Sequence, residues 1–192
     1  KDLRKKLRTA RRALSALERE EKSLAIFRYL SEYPPFQRAK SLAIYWATDE
    51  EVATSSTIDY ANRNGKSIYL PIVNKVRHPK GMYFHRYIRG ETVLELNSFG
   101  IAEPRQHPQA YASSENLDVI LVPLVGFNQN LDRIGMGGGH YDRSLSKLNN
   151  RSTRFIGLAF ACQKAEFEPM PHDVRLHAII TEEGILANDA NL

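Results

Sequence analysis

The 192 residues contain a single cysteine, Cys162, which excludes an internal disulfide framework and any cysteine-rich zinc site. No apolar run approaches the roughly 20 residues of a membrane-spanning helix. The basic N-terminus is not followed by the apolar stretch of a secretion signal. No repeat, low-complexity tract or Gly/Pro/Ser linker divides the chain. With 42% hydrophobic and 26% charged residues, disorder and fibrous structure are excluded. A chain of this length buries roughly 70% of the surface its unfolded form exposes, enough for a core without staples. The expectation is one soluble, cytoplasmic domain over residues 1–192, a monomer with no membrane partner.

The formal charge is +5, and it is unevenly placed. Residues 1–22 hold nine basic and four acidic side chains, while the remainder holds eighteen of each sign. All of the net charge therefore belongs to an N-terminal arm. Leu3, Leu7, Leu14 and Leu17 recur at helical spacing, and Ser15-Ala-Leu-Glu18 is a capping-box pattern. One helix should end near Ala13 and a second begin at Ser15, burying Leu17, Leu24, Phe27 and Leu30 until Tyr33-Pro34-Pro35 stops it. The arm is either a solvated amphipathic helix or a cover for an anionic ligand. Nucleic acid is the weaker option, because aromatic residues are not interleaved with the charges.

From Ser41 the pattern changes to short apolar runs separated by polar turns. Ser41–Trp46, Ser67–Pro71, Met82–Ile88, Leu117–Pro123, Phe155–Phe160 and Leu176–Thr181 read as strands. Thr54–Asn64 reads as a helix, capped by Thr54 or Ser55 and stopped by Gly65. Residues 91–96 are ambiguous, Gly100–Pro104 is turn-like and 105–116 reads as a loop. Strand–helix–strand spacing gives the fold class: α/β, mostly parallel central sheet flanked by helices.

The most informative stretch is Asp132-Arg-Ile-Gly-Met-Gly-Gly-Gly-His-Tyr-Asp-Arg143. It lies between an apolar strand and a helix containing Tyr141, Leu145 and Leu148, an arrangement that offers backbone N–H groups to phosphate. Gly135, Gly137, Gly138 and Gly139 let the backbone approach a ligand, and Arg133 can donate twice to a phosphate. Asp142 would repel an anion unless a cation such as Mg²⁺ lay between them. The spacing fits neither common nucleotide fingerprint, and a plain chain reversal is the structural alternative.

These residues resemble the 5-formyltetrahydrofolate cyclo-ligase family, whose signature runs from a strand ending in Pro to R-[LI]-G-x-G-x-G-Y-Y-D-R. The resemblance also covers Leu3-Arg4-x-x-Leu7, Glu51-Val-Ala-Thr54, Leu70-Pro71, Met82-x-Phe84, Gly100-Ile-x-Glu-Pro104, Ile156-Gly-Leu-Ala, His172-Asp173 and Ile180-Thr-Glu. It implies ATP- and Mg²⁺-dependent conversion of 5-formyltetrahydrofolate, an anionic and often polyglutamylated substrate, to 5,10-methenyltetrahydrofolate. By resemblance, ATP lies along Arg133, Ile134, Gly135, Met136, Gly137, Gly138, Gly139, His140 and Tyr141, with Lys1 and Arg4 facing phosphate. Arg133 and Tyr141 would act at the reacting centre, and Asp142 and Asp173 would hold Mg²⁺. Arg4, Trp46, Glu51, Met82 and Phe84 would meet the folate.

Each assignment has a plain alternative. Trp46 and Phe84 suit a core, Glu51 a solvated turn beside Asp49 and Glu50, and Asp173 a cap on a turn after Pro171. Cys162 reads as a buried small apolar residue, and His78, His85 and His107 have no metal-ligand spacing. The chain departs from the family at His140, commonly Tyr, and at Gly138, which is Lys in eukaryotic relatives. Asn128 and His177 stand where Asp is frequent, leaving Asp173 as the one metal candidate near that end. Arg133→Ala or Asp142→Ala is expected to abolish turnover with little loss of fold. The competing function classes are a nucleic-acid-binding module and an α/β enzyme of the sugar-phosphate isomerase or CoA-transferase type.

Overall fold

The first apolar run supplies the centre of the fold. A computed structural model describes residues 2–72, 82–105, 111–112, 117–146 and 152–188. In it β1 (Ser41–Ala43) is paired in parallel on both sides, with β2 (Ser67–Ile72) and with β7 (Val119–Pro123). Parallel strands need a crossover, and α4 (Ser55–Arg63) provides the one between β1 and β2. On the far side, β7 pairs in parallel with β10 (Arg154–Leu158), and β10 with β11 (Ala178–Thr181). The edges are antiparallel: β3 (Tyr83–Tyr87) and β6 (Tyr111–Ala112) beyond β2, and β12 (Gly184–Ala187) beyond β11. The eight-stranded order is β12-β11-β10-β7-β1-β2-β3-β6, an α/β fold with a mostly parallel central sheet flanked by helices.

Both faces of the sheet are covered, which is why β7 and β11 read as unbroken apolar runs rather than alternating ones. One face packs Leu42, Ile44, Ile68, Leu121 and Ile156 against Ile26 and Leu30 of α2 (Ala16–Glu32) and Phe36 of α3 (Pro34–Arg38). The other packs Ala43, Phe84, Ile120, Val122 and Phe155 against Phe127, Leu131 and Leu145.

α1 (Asp2–Arg12) ends where the sequence indicates. Ser15 Oγ accepts from the Glu18 N–H at 3.2 Å, and the Glu18 carboxylate accepts from the Ser15 N–H at 2.7 Å, so the capping box is complete. The buried face of α2 differs from expectation: it is Ser23, Ile26 and Leu30, while Leu17 and Leu24 are 64% and 43% exposed. At 100° per residue Leu24 lies about 120° and Leu17 about 140° from Leu30; Ile26 and Ser23, on Leu30's side, define the stripe. Pro34 stops α2 but also starts α3, where its missing N–H costs nothing.

Further differences come from short elements. Gly100–Pro104 is not simply a turn: β5 (Ala102–Pro104) pairs with β4 (Leu94–Leu96) around Gly100, whose φ is +73°. The Asn97 side chain organises that reversal by accepting from the N–H groups of Phe99 and Ile101. A two-residue hairpin, β8 (Gly126–Phe127) with β9 (Arg133–Ile134), leads into the glycine turn. Strands of two or three residues leave no periodicity to read. Of the expected loop at 105–116, Tyr111–Ala112 pairs with β3, and residues 106–110 and 113–116 lie outside the described ones. Among the described residues no helix is long and apolar enough to cross a membrane.

Candidate active site at the sheet's switch point

β1 and β7 are neighbours, yet the chain continues from β1 toward one edge and from β7 toward the other. In open α/β sheets the crevice beyond the carboxyl ends of two such strands is where ligands bind. The chain leaving β1 carries Trp46 and Glu51, and the chain leaving β7 carries the glycine turn. Two segments about 90 residues apart in sequence are thereby placed at one crevice.

The glycine turn is held from beneath. Asn128 is buried; its Oδ1 accepts from the N–H groups of Asn130 and Asp132, and its Nδ2 donates to Asp132 Oδ2 at 3.0 Å. An aspartate lacks that donor, so the departure at Asn128 is a structural arrangement of the loop, with Leu131 at φ +66° inside it. Gly137 and Gly139 have φ of +104° and +62°, whereas Gly135 and Gly138 do not need the left-handed region. At Gly138 a Cβ would come within 2.7 Å of the His140 ring, so a larger residue there needs that side chain to turn aside. Gly139 caps α5 (His140–Leu145), which is shorter than expected, and Leu148 lies outside the described residues.

Arg133 departs from expectation. Its side chain is 2% exposed, and its guanidinium ion-pairs with Asp142 and donates to the Val174 carbonyl. In this arrangement it does not present a free fork to a phosphate; it fixes Asp142, whose Oδ1 also accepts from the Val174 N–H at 3.3 Å. Asp173 Oδ2 accepts from the Met170 N–H at 2.8 Å, closing a turn across Pro171. Asp142, Asp173 and Gly137–Gly139 nonetheless line one cleft of about 420 Å³. Two carboxylates lining an open cleft suit Mg²⁺, which keeps waters and phosphate oxygens in its shell and needs few protein ligands. Among the described residues no group of three or more His, Cys, Asp or Glu could hold a metal.

The basic arm reaches this turn. Arg4 Nε donates to the Gly135 carbonyl at 2.9 Å. Lys1 lies outside the described residues. Comparison with known proteins follows from this geometry: residues 1–182 match the 5-formyltetrahydrofolate cyclo-ligase family. The chain belongs to that family. Its relatives include 5-formyltetrahydrofolate cyclo-ligases of Haemophilus influenzae, 33% identical over 93% of this chain and 95% of that one, and of Escherichia coli K12, 31% identical over 91% and 96%. Among solved structures, the Aquifex aeolicus 5,10-methenyltetrahydrofolate synthetase aligns with TM-score 0.80 and 28% identity over 97% of this chain and 91% of that one. The Mycoplasma pneumoniae enzyme of the same name aligns with TM-score 0.71 and 27% identity over 94% and 97%.

The residues that the family resemblance assigned to folate separate into two groups. The Glu51 charge is felt at Tyr141, whose phenol is pushed well up, first by burial and then by that charge, with Arg133 opposing. Tyr45, whose hydroxyl donates to the Val52 carbonyl at 2.9 Å, is raised for the same two leading reasons. Glu51 also closes its own turn, accepting from the Thr48 N–H and hydroxyl at 3.0 and 3.1 Å. Trp46 is half-buried and meets Tyr87 edge-on, with ring centroids 6.0 Å apart. Met82 and Phe84 belong instead to the core, 7% and 1% exposed, beside Phe127 and Leu145. In this arrangement residues so enclosed present little surface to a ligand.

Sequence reasoning missed Glu50. Its carboxylate pairs with Arg11 at 3.1 Å and Arg12 at 2.6 Å, tying the end of α1 to the Glu51 turn. Burial would raise the Glu50 carboxyl, but the Arg12 and Arg11 guanidiniums outweigh it and hold it below the usual carboxylate range. The signal was only one of three consecutive acids, 38 residues from a basic pair. Gln163, also missed, fastens the loop after β7 by donating to the carbonyls of Leu124 and Val125 at 2.8 and 3.1 Å. Cys162 is exposed, not buried as expected. His177 accepts from the Phe155 N–H at 2.9 Å, a backbone role that no aspartate-like metal ligand is needed to explain.

Proposed function

We propose that the protein converts 5-formyltetrahydrofolate and ATP to 5,10-methenyltetrahydrofolate, ADP and phosphate, acting as a cytoplasmic monomer on a folate that is often polyglutamylated. The formyl oxygen attacks the γ-phosphorus, forming an O–P bond as the bond to ADP breaks. N10 then bonds to the activated formyl carbon, the C–O bond breaks to release phosphate, and the N10 proton passes to solvent. Such chemistry asks a protein mainly for positioning and for charge placed in advance.

In this reading the amides of Gly135–Gly139, with Ile134, Met136 and His140 alongside, carry the nucleotide. Asp142 and Asp173 hold Mg²⁺, which neutralises phosphate charge. Arg133 keeps the Asp142 carboxylate aimed. Arg4 serves both phosphate and substrate, and Glu51 accepts from the paired ring N–H and amino donors of the pterin. Trp46 packs beside the pterin. Tyr141, whose phenol is pushed up by burial and by Glu51, donates its hydroxyl proton in a hydrogen bond at the reacting centre. The observation that carries the reading is the Arg4–Gly135 contact, which brings the basic arm onto the phosphate turn beside the switch-point crevice. Purified protein with Mg-ATP and 5-formyltetrahydrofolate should generate the ultraviolet absorbance of the methenyl product; no change with active reagents would sink the reading.

A further inference from the structure

α1 places three arginines on one face. Arg4, Arg8 and Arg11 follow at i, i+4 and i+7, within about 60° of one another around the axis. The outer two are each anchored: Arg4 Nε donates to the Gly135 carbonyl, and Arg11 donates through Nη2 to Glu50 at 3.1 Å although its Nε is itself buried and unpaired among the described residues. Arg8, between them, is half-buried, and its Nε is buried with no hydrogen-bond partner among the described residues. Buried donors are nearly always paired in native proteins, with protein, water or ligand, so this one is open to an acceptor that arrives with a ligand.

The neighbours specify which. Arg4 marks the glycine turn, and Arg11 marks Glu50, which immediately precedes Glu51. Arg8 lies about 6 Å along the helix from the first and about 4.5 Å from the second. On the reading that the glycine turn holds the nucleotide and Glu51 the pterin, the group passing from one to the other must lie between those marks. We propose that Arg8 binds the γ-phosphate of the nucleotide and remains on that phosphoryl group as it moves to the folate. A planar guanidinium suits this role, because it can donate two parallel bonds to two phosphate oxygens. The inference rests on the proposed function.

The test compares binding of ADP and of the β,γ-imido analogue of ATP, each with Mg²⁺, by calorimetry on the full chain and on Arg8→Ala and Arg8→Lys. Arg8→Ala should weaken the analogue roughly tenfold or more while ADP changes less than twofold, with Arg8→Lys between. In turnover, kcat should fall while KM for 5-formyltetrahydrofolate stays near the parent value. Equal weakening of both nucleotides, no change in either, or a rise confined to the KM for folate would overturn the proposal. Should Arg8→Ala lose its fold in thermal melts, Arg8→Lys carries the comparison alone. An active parent protein with unaltered nucleotide discrimination in the variants refutes Arg8 by itself. A parent that binds neither nucleotide refutes the nucleotide site and this inference together.

Discussion

Arg4 Nε donates to the carbonyl of Gly135, 131 residues away, so the first helix of the chain is fastened to the start of the glycine turn. A hydrogen bond with a charged donor of this kind contributes about 1.5–3 kcal/mol to stability. In the proposed reaction the same guanidinium faces phosphate. Arg4→Ala should therefore lower kcat/KM for ATP by tenfold or more while the melting temperature falls only a few degrees. Steady-state kinetics beside thermal melts check this; a large loss of stability with normal kinetics in the folded fraction would leave Arg4 a purely structural role.

Asp142 and Arg133 form the pair that most changes an expectation. The sequence suggested that either could be removed with little loss of fold, but Arg133 is buried and its charge is compensated by Asp142. Removing one partner of a buried pair costs about 3–5 kcal/mol. Asp142→Ala should destabilise by about 3 kcal/mol in denaturant titration. Asp142→Asn, which retains an acceptor for Arg133 and Val174 but not the compensating charge, should lose less stability than Asp142→Ala yet still lose most turnover. An Asn variant with near-normal turnover would remove the metal role.

The glycines divide by what each can tolerate. At Gly135 a Cβ meets nothing within 4 Å and φ is not in the left-handed region, whereas Gly137 sits at φ +104°. Gly137→Ala should cost about 1–3 kcal/mol through backbone strain. Gly135→Ala should leave stability within about 0.5 kcal/mol but weaken nucleotide binding if phosphate approaches the turn closely. Denaturant titration and nucleotide calorimetry on the two variants separate these effects.

Glu50 gives the site an acid limb. Its carboxyl is held below the ordinary value of 4.5, so the stabilisation it provides is complete above that value and is lost as pH falls through the lowered one. The N-terminal helix carries Arg4 and is tied down by Arg11, Arg12 and Glu50, so activity and stability should fall together below about pH 4.5. Glu50→Gln should lower stability by about 2 kcal/mol at neutral pH and flatten that acid limb. Melting curves across pH on the parent and variant read both.

What the sequence disclosed and what it withheld follow physical lines. Val119–Pro123 was legible because a strand buried on both faces is one apolar run, and Ser15 was legible because a capping box is local. The Arg133–Arg143 turn was legible through its glycines and charges. The burial of Arg133 was not, since nothing in an arginine's neighbours in sequence shows that Val174 and Asp142 will enclose it. Met82 and Phe84 were offered as a ligand wall because apolar side chains that meet a ligand and those that meet the core look alike until the opposite layer, here Phe127 and Leu145, is in place. The Glu50 pairs depend on the switch-point topology that brings residues 11, 12 and 50 together, and no local pattern encodes that.

The central claim is that one crevice couples nucleotide cleavage to ring closure on a folate. Its most direct test records methenyl absorbance and ADP release in the same reaction, with each substrate and Mg²⁺ omitted in turn. The expected result is one ADP for each methenyltetrahydrofolate formed, with neither product appearing when 5-formyltetrahydrofolate or ATP is left out. Ring closure without ATP, or ADP release that does not depend on 5-formyltetrahydrofolate, would contradict it.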